Sequence, residues 1–138
     1  MRRRAESELC NSAERFLKKK GFDRQKKELQ FYEYNIDIYG FSQFSDLTIS
    51  IELKIENWRR AFEQALVYQL CSDLVFMALP KENVHRVDQN LLNSEGIGLL
   101  SIGLNNQCYM KIAPRKSIVI NDSYKQQNIE LLRQMEKD

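Results

Sequence analysis

The sequence predicts a mixed α/β fold in which helices flank a central sheet. Three observations support this prediction: helical spacing of apolar residues near the N-terminus, alternation of apolar and polar residues over 24–41, and a nearly uninterrupted apolar run at 73–79. Along the chain the segments follow the order α-β-β-β-α-β, with smaller pieces after them. This order is typical of a layered α/β architecture.

The first helix is predicted over residues 5–20. Its apolar positions recur at helical spacing, and Gly21 follows as a stop signal. These positions are Leu9, Ala13, Phe16 and Leu17.

Two stretches after this helix are predicted to form strands. Residues 24–41 alternate as one or two strands, with Ile36 and Ile38 on one face and Asp37 on the other. Residues 42–46 supply turn residues, and the β-branched run at 47–55 forms the next strand. We therefore expect a hairpin around the turn.

A second helix and a buried strand complete the predicted core, which spans residues 5–80. Helical spacing returns at 58–71, and the apolar run closes at Pro80. Because this run does not alternate, it favours a central strand that is covered on both faces. The rest of the chain is predicted to hold a short helix at 83–95, strands at 96–103 and 107–112, and a polar helix at 122–137.

Composition narrows the class of protein. The 138 residues have room for a single domain over 1–138, and 43% hydrophobic with 29% charged residues is ordinary globular usage. No apolar run approaches the ~20 residues of a membrane span, and the N-terminus has no apolar signal core. Three cysteines without paired spacing argue against a disulfide framework and a structural zinc site. A cytoplasmic protein without a membrane partner is expected.

Charge is unevenly distributed although the net charge is only +2. Residues 1–30 hold ten basic and five acidic side chains, whereas 31–138 hold eleven and fourteen. A basic first element on a mildly acidic body points to a polyanion at one edge. Alternatively, Lys18, Lys19 and Lys20 simply complement the dipole at a helix C-terminus.

Polar residues also stand at positions where the pattern predicts burial. Glu52 and Lys54 are two residues apart in the third strand, so their side chains share a face. If the hairpin forms, Asp37 comes close to Glu52, and two adjacent carboxylates repel each other unless a cation lies between them. Oxygen ligands select Mg²⁺ or Mn²⁺. The alternative is a solvated sheet face that carries these charges.

Two helices add candidate residues. On a helical wheel Glu6 lies closer than Glu8 to the apolar face of the first helix, so Glu6 is the acid directed towards the body of the protein, with Glu8 as the substitute. In the second helix Gln64 and Tyr68 are spaced i, i+4 on one face. Tyr68 also fits an ordinary core position.

These residues resemble the PD-(D/E)xK nuclease superfamily, which has a restriction-endonuclease-like fold. The helix-one acid Glu6, then Asp37, then Glu52-Leu53-Lys54 follow its order, and Gln64 to Tyr68 resembles the QxxxY motif of its RecB-like branch. The predicted segment order also matches the αβββαβ core of that fold. The chain departs from the pattern at position 36, where isoleucine replaces proline.

The resemblance implies metal-dependent hydrolysis of a nucleic-acid phosphodiester, with DNA favoured over RNA. Asp37 and Glu52 would bind Mg²⁺ or Mn²⁺, with the backbone carbonyl of Leu53 as a further ligand. Lys54 would orient or activate the attacking water. Glu6 would hold a second metal or an outer-shell water.

Further roles follow from the same resemblance. Gln64 and Tyr68 would position the metal-bound shell or a backbone phosphate. Four basic residues would contact flanking phosphates: Arg59, Arg60, Lys18 and Lys19. A homodimer or a larger partner would supply specificity that so small a protein lacks. The alternative is a catalytically inactive DNA-binding or assembly subunit with the same fold.

Overall fold

The computed structural model describes residues 5–137, with side chains up to residue 135, and contains one mixed sheet flanked by helices. The helices are α1 (Glu6–Lys19), α2 (Trp58–Tyr68), α3 (Gln89–Glu95) and α4 (Asp122–Lys137), with a 3-10 helix at Lys81–Arg86. The strands are β1 (Arg24–Phe31), β2 (Tyr34–Ser42), β3 (Leu47–Leu53), β4 (Leu74–Pro80), β5 (Gly98–Ile102) and β6 (Cys108–Ile112). The predicted α/β fold and its αβββαβ order are confirmed.

The sheet has six strands in sequence order. β1, β2 and β3 pair antiparallel, β3, β4 and β5 pair parallel, and β6 returns antiparallel to β5. β4 is buried along nearly its whole length and lies inside the sheet, as its continuous apolar run predicts. Its neighbours β3 and β5 are joined to it through crossover helices, because parallel strands cannot be connected by a tight turn.

Two hydrophobic clusters cover the two faces of the sheet. Helix α1 packs Leu9, Ala13 and Leu17 against one face, while α2, α3 and α4 contribute to the cluster on the other. Helix α1 ends where the sequence predicts, and Gly21 after it lies in the left-handed region at φ +97°. Among residues 5–137, no helix is both long and apolar enough to cross a membrane.

The first predicted strand segment is in fact two strands that form a tight hairpin. Tyr32 and Glu33 make the turn, and Tyr32 has φ +55° although glycine is preferred there. The prediction that Ile36 and Ile38 share a face of the sheet is wrong. Ile36 packs in the cluster on the face covered by α2, whereas Ile38 packs in the cluster on the opposite face, beneath α1. The change of face coincides with Glu28 on β1, which lies between the paired positions and has φ +56°.

The predicted helix at 83–95 is divided. Asp88 accepts a hydrogen bond from the Leu91 amide, so a new helix begins at this point and separates α3 from the 3-10 turn.

Helix α4 is attached to the sheet by a buried ion pair. Lys125 Nζ lies 2.9 Å from Asp73 Oδ2 and donates to the carbonyl of Asp46 at 2.8 Å. The amide and hydroxyl of Thr48 also donate to Asp73. Asp46 belongs to the β2–β3 turn, so this network holds one end of the hairpin.

Candidate active site

The candidate site forms where β2 and β3 separate. Their pairing runs from Ser42 and Leu47 to Ile38 and Ile51. Asp37 and Glu52 are the next residues on the two strands, and their carboxyl groups lie within hydrogen-bonding reach of each other. The hairpin register therefore brings together two acids that are fifteen positions apart in the sequence.

Glu52 is a buried acid, with only 4% of its surface exposed. The hydroxyl of Tyr68 donates to its Oε1 at 3.0 Å. Burial, followed by the charge of Asp37, raises the pKa of Glu52 to about 8, while Tyr68 and Lys54 act in the opposite direction. Without a cation, burial thus favours the protonated form of this carboxyl group.

Asp37 is held by the backbone of the neighbouring strand. The amide of Leu53 donates to its Oδ2 at 2.7 Å. Burial raises the pKa of Asp37 to about 6 against the opposing effect of that amide, and the charges of Glu28 and Glu6 raise it further. The pair of acids favours a single negative charge over two.

Lys54 is the third member of the site. Its amide donates to the Ala78 carbonyl at 3.0 Å, which fixes the end of β3 against β4. The half-buried ammonium group lowers the pKa of both Asp37 and Glu52, so its charge acts on both acids. The three residues predicted from the sequence therefore converge on one place.

Two further acids border the site. A cavity of about 330 Å³ opens between α1 and the β1–β2 hairpin, and Glu6, Glu28 and Asp37 are among the residues that line it. Glu8 is not among them, although Glu8 is half-buried and Glu6 is exposed, so the choice between the two acids stays a prediction. Sequence reasoning missed Glu28, because a single acid in a polar strand carries no signal until the pairing places it opposite position 37.

Helix α2 directs its polar pair towards the sheet. Tyr68 is fully buried and reaches Glu52, and its hydroxyl also lies 3.3 Å from the Asn35 carbonyl. Gln64, one turn earlier, has a buried Oε1 without a hydrogen-bond partner in the described part of the chain. A buried carbonyl oxygen without a partner is unusual and is available to a bound group.

The basic residues fall into two groups. Arg59 and Arg60 are exposed on the first turn of α2, and the guanidinium of Arg59 lies 4.7 Å from the Trp58 ring centre. Lys18 and Lys19 lie on the last turn of α1, about 18 Å from Glu6 at the helical rise of 1.5 Å per residue. The cationic end of α1 thus lies away from the acids. Arg2, Arg3 and Arg4, which add to the charge of the N-terminal segment, lie outside the described residues.

The donor set fits a hard divalent cation held by few protein ligands. Among residues 5–137, no group of three or more His, Cys, Asp or Glu side chains is placed to enclose a metal ion. Mg²⁺ is commonly bound by one or two carboxylates, with waters and substrate phosphates completing its shell. Asp37 and Glu52 provide two such carboxylates, and a cation between them would favour their charged forms against the burial that raises both pKa values and the charge of Asp37 that further raises that of Glu52.

Comparisons with known proteins give the fold and little more. The sequence matches no protein-family model, and no curated protein matches it. The structure is similar to that of SPO1766, a protein of unknown function from Silicibacter pomeroyi, with a TM-score of 0.70 and 20% identity over 94% of this chain and 84% of that one. This similarity establishes that the same architecture occurs in another protein.

A second similarity is much weaker. The structure of Pyrococcus furiosus SfsA in complex with Ca²⁺ aligns with a TM-score of 0.45 and 12% identity, over 83% of this chain and 65% of that one. A similarity at this level carries no argument about activity. The case for function therefore depends on the geometry of the site.

Proposed function

We propose that the protein is a Mg²⁺-dependent nuclease of the PD-(D/E)xK superfamily, with DNA as the favoured substrate. One observation carries the proposal: Asp37, Glu52 and Lys54 meet at the point where β2 and β3 separate. A buried and a half-buried acid with raised pKa values beside a lysine make a costly arrangement for a purely structural sheet. The arrangement matches the ligand and lysine set that the sequence resemblance implies.

Each acid has a defined supporting contact. Tyr68 fixes the carboxyl group of Glu52, and the Leu53 amide fixes that of Asp37, so both are oriented before a ligand arrives. When bound to these carboxylates, a Mg²⁺ or Mn²⁺ ion supplies positive charge that polarises the phosphate and lowers the pKa of a water. The carbonyl of Leu53 would be a further ligand of this ion.

Lys54 acts on the attacking water and on the phosphate. Its ammonium donates hydrogen bonds that orient the water and stabilise the negative charge developing on the phosphoryl oxygens. Glu6, which lines the same cavity as Asp37, would hold a second metal ion or an outer-shell water. The Oε1 of Gln64, which is buried without a partner in the described part of the chain, would accept a hydrogen bond from a water bound to the metal ion.

The basic residues contact the substrate at different distances. Arg59 and Arg60 follow Lys54 by only a few residues and contact phosphates next to the cleaved bond. Lys18 and Lys19 are about 18 Å from Glu6 and contact phosphates further along the strand. Cutting both strands of a duplex would require a second copy of the site, as in a homodimer.

The proposal is tested by incubating the purified protein with labelled single- and double-stranded DNA and RNA, in Mg²⁺, in Mn²⁺ and in EDTA. We expect metal-dependent cleavage of at least one substrate, and its loss in Lys54→Ala with the melting temperature maintained. Lys111→Ala is the matched control, since Lys111 is exposed on β6.

The same experiment can overturn the assignment. Cleavage that persists in both Glu52→Ala and Lys54→Ala would show that this site is not responsible. Tight binding of DNA without cleavage in either metal would instead favour the inactive binding or assembly subunit.

A further inference from the structure

A cleft of about 500 Å³ lies between the β1–β2 turn and helix α4. Three aromatic rings and three polar side chains form most of its lining: Phe31, Tyr32, Tyr124, Gln30, Gln127 and Glu130. Its volume falls within the range of sites that hold small organic groups. None of these residues belongs to the candidate catalytic site.

The rings are held in fixed positions. Tyr124 packs edge-to-face against Phe31 and Tyr32, with ring centres 5.3 and 5.6 Å apart. The hydroxyl groups of Tyr32 and Tyr124 are hydrogen-bonded to each other. Tyr32 nevertheless remains 56% exposed, so it presents part of its ring to solvent. It also takes the left-handed backbone conformation that bulky residues rarely adopt.

The chemistry of the lining selects a flat group with a polar edge. Gln30 and Gln127 both donate and accept hydrogen bonds, and Glu130 accepts them. Within the described part of the chain, neither lysine nor arginine lines the cleft. A phosphate would thus meet a carboxylate here and no cation, whereas a nucleobase would find ring faces for stacking and amides for its edge.

The cleft is connected to the catalytic site by further aromatic residues. Phe31 pairs with Tyr34 across the hairpin, and the Tyr34 ring packs edge-to-face on Tyr68 with centres 6.4 Å apart. Tyr68 in turn donates a hydrogen bond to Glu52. Tyr32 is five residues from Asp37, about 17 Å at the rise of an extended strand. A nucleic-acid strand in the catalytic site would reach the cleft within a few nucleotides.

We propose that this cleft binds an unpaired base of the substrate, which makes single-stranded nucleic acid or an unpaired end the substrate class. The inference rests on the proposed nuclease function. Bases in a duplex are stacked on their neighbours, so their faces are not available to Tyr32. A single strand presents these faces, and stacking on an aromatic side chain tolerates any sequence.

Binding is measured without catalysis, which separates this inference from the nuclease assignment. Fluorescence anisotropy in EDTA compares a labelled twelve-nucleotide thymidine strand with a DNA hairpin duplex of similar length. Tyr32→Ala should weaken single-strand binding about tenfold, within the range for one stacked base, and should change duplex binding less than twofold. Tyr32→Phe retains the ring and should bind like the wild type.

The matched control is Tyr109→Ala, because Tyr109 is 57% exposed but lies on β6. This variant should leave both affinities unchanged. Melting temperatures of all variants confirm that the fold is retained, and a bromodeoxyuridine strand should cross-link to the Tyr32 peptide.

Several outcomes overturn the proposal. Equal single-strand affinity in wild type, Tyr32→Ala and Tyr109→Ala would show that no base occupies the cleft. The proposal would also fail if Tyr32→Ala changed the oligomeric state but not the affinity for single strands, since the cleft would then bind a second copy of the chain. If Lys54-dependent cleavage persists in either case, the nuclease assignment stands while the single-strand preference falls.

Discussion

Replacing Glu52 by glutamine should stabilise the metal-free protein at pH 8. Glu52 is 4% exposed and adjoins Asp37, and its pKa is raised from 4.5 to about 8. Between these values the folded protein holds more protons than the unfolded chain, so stability falls as pH rises through this window. Glutamine has nearly the same shape, keeps an acceptor for Tyr68 and removes the charge.

The size of the effect follows from the pKa shift. Each pK unit corresponds to about 1.4 kcal/mol, so at pH 8 burial of the charge costs several kcal/mol. Glu52→Gln removes this cost, but part of the gain in stability is lost because the amide forms a weaker hydrogen bond with Tyr68 than the carboxylate does. We expect a net gain of about 2 kcal/mol, or roughly 5–15 °C in melting temperature for a protein of this size.

The assay is thermal unfolding followed by circular dichroism in EDTA, at pH 8 and at pH 4.5. The variant should melt above the wild type at pH 8, and the two should converge at pH 4.5, where Glu52 is protonated in the folded protein. Glu63→Gln provides the control, because Glu63 is exposed on α2. A variant that melts at or below the wild type at pH 8 would refute the reasoning, since Glu52 would then carry no electrostatic cost.

Three further predictions concern other positions. Tyr68→Phe removes the hydroxyl that orients the buried glutamate, and should lower metal-dependent cleavage about tenfold in a cleavage time course. It should also cost about 1–3 kcal/mol in urea unfolding, because Glu52 loses a buried hydrogen-bond donor. Lys125→Met leaves the buried Asp73 carboxylate without its cation and should cost about 3–5 kcal/mol in urea unfolding, whereas a cost below 1 kcal/mol would contradict a desolvated ion pair. Gly98→Ala places a methyl group 2.6 Å from the Phe76 ring and should destabilise the protein by about 1–3 kcal/mol in the same assay, with wild-type stability contradicting the close packing.

The sequence predicts the elements well wherever one physical pattern dominates. Apolar spacing and Gly21 define α1, and the uninterrupted run ending at Pro80 defines the central strand. The sequence does not divide β1 from β2, because Tyr32 and Glu33 are not typical turn residues. Asp88 divides the 83–95 segment by capping α3, a local effect that apolar periodicity does not contain.

The candidate site could be predicted only in part. Asp37, Glu52 and Lys54 stand out because charge interrupts an apolar strand pattern, and the hairpin brings them together. Glu28 carries no such signal, since its position depends on a pairing register and a left-handed backbone angle. Counting charges over residues 1–30 treats the first helix as one basic element. Along that helix, however, Lys18 lies about 18 Å from Glu6, so its basic end is not part of the site.

The attachment of α4 has a consequence for how the sheet opens. Lys125 holds Asp46 and Asp73 at one end of β2 and β3, whereas the same strands part at Asp37 and Glu52 at the other end. Local unfolding should therefore begin at the catalytic end and spread towards the ion pair. Backbone amides near Asp37 should exchange with deuterium before those near Thr48, because the ion pair preserves the register of the hairpin at the Thr48 end.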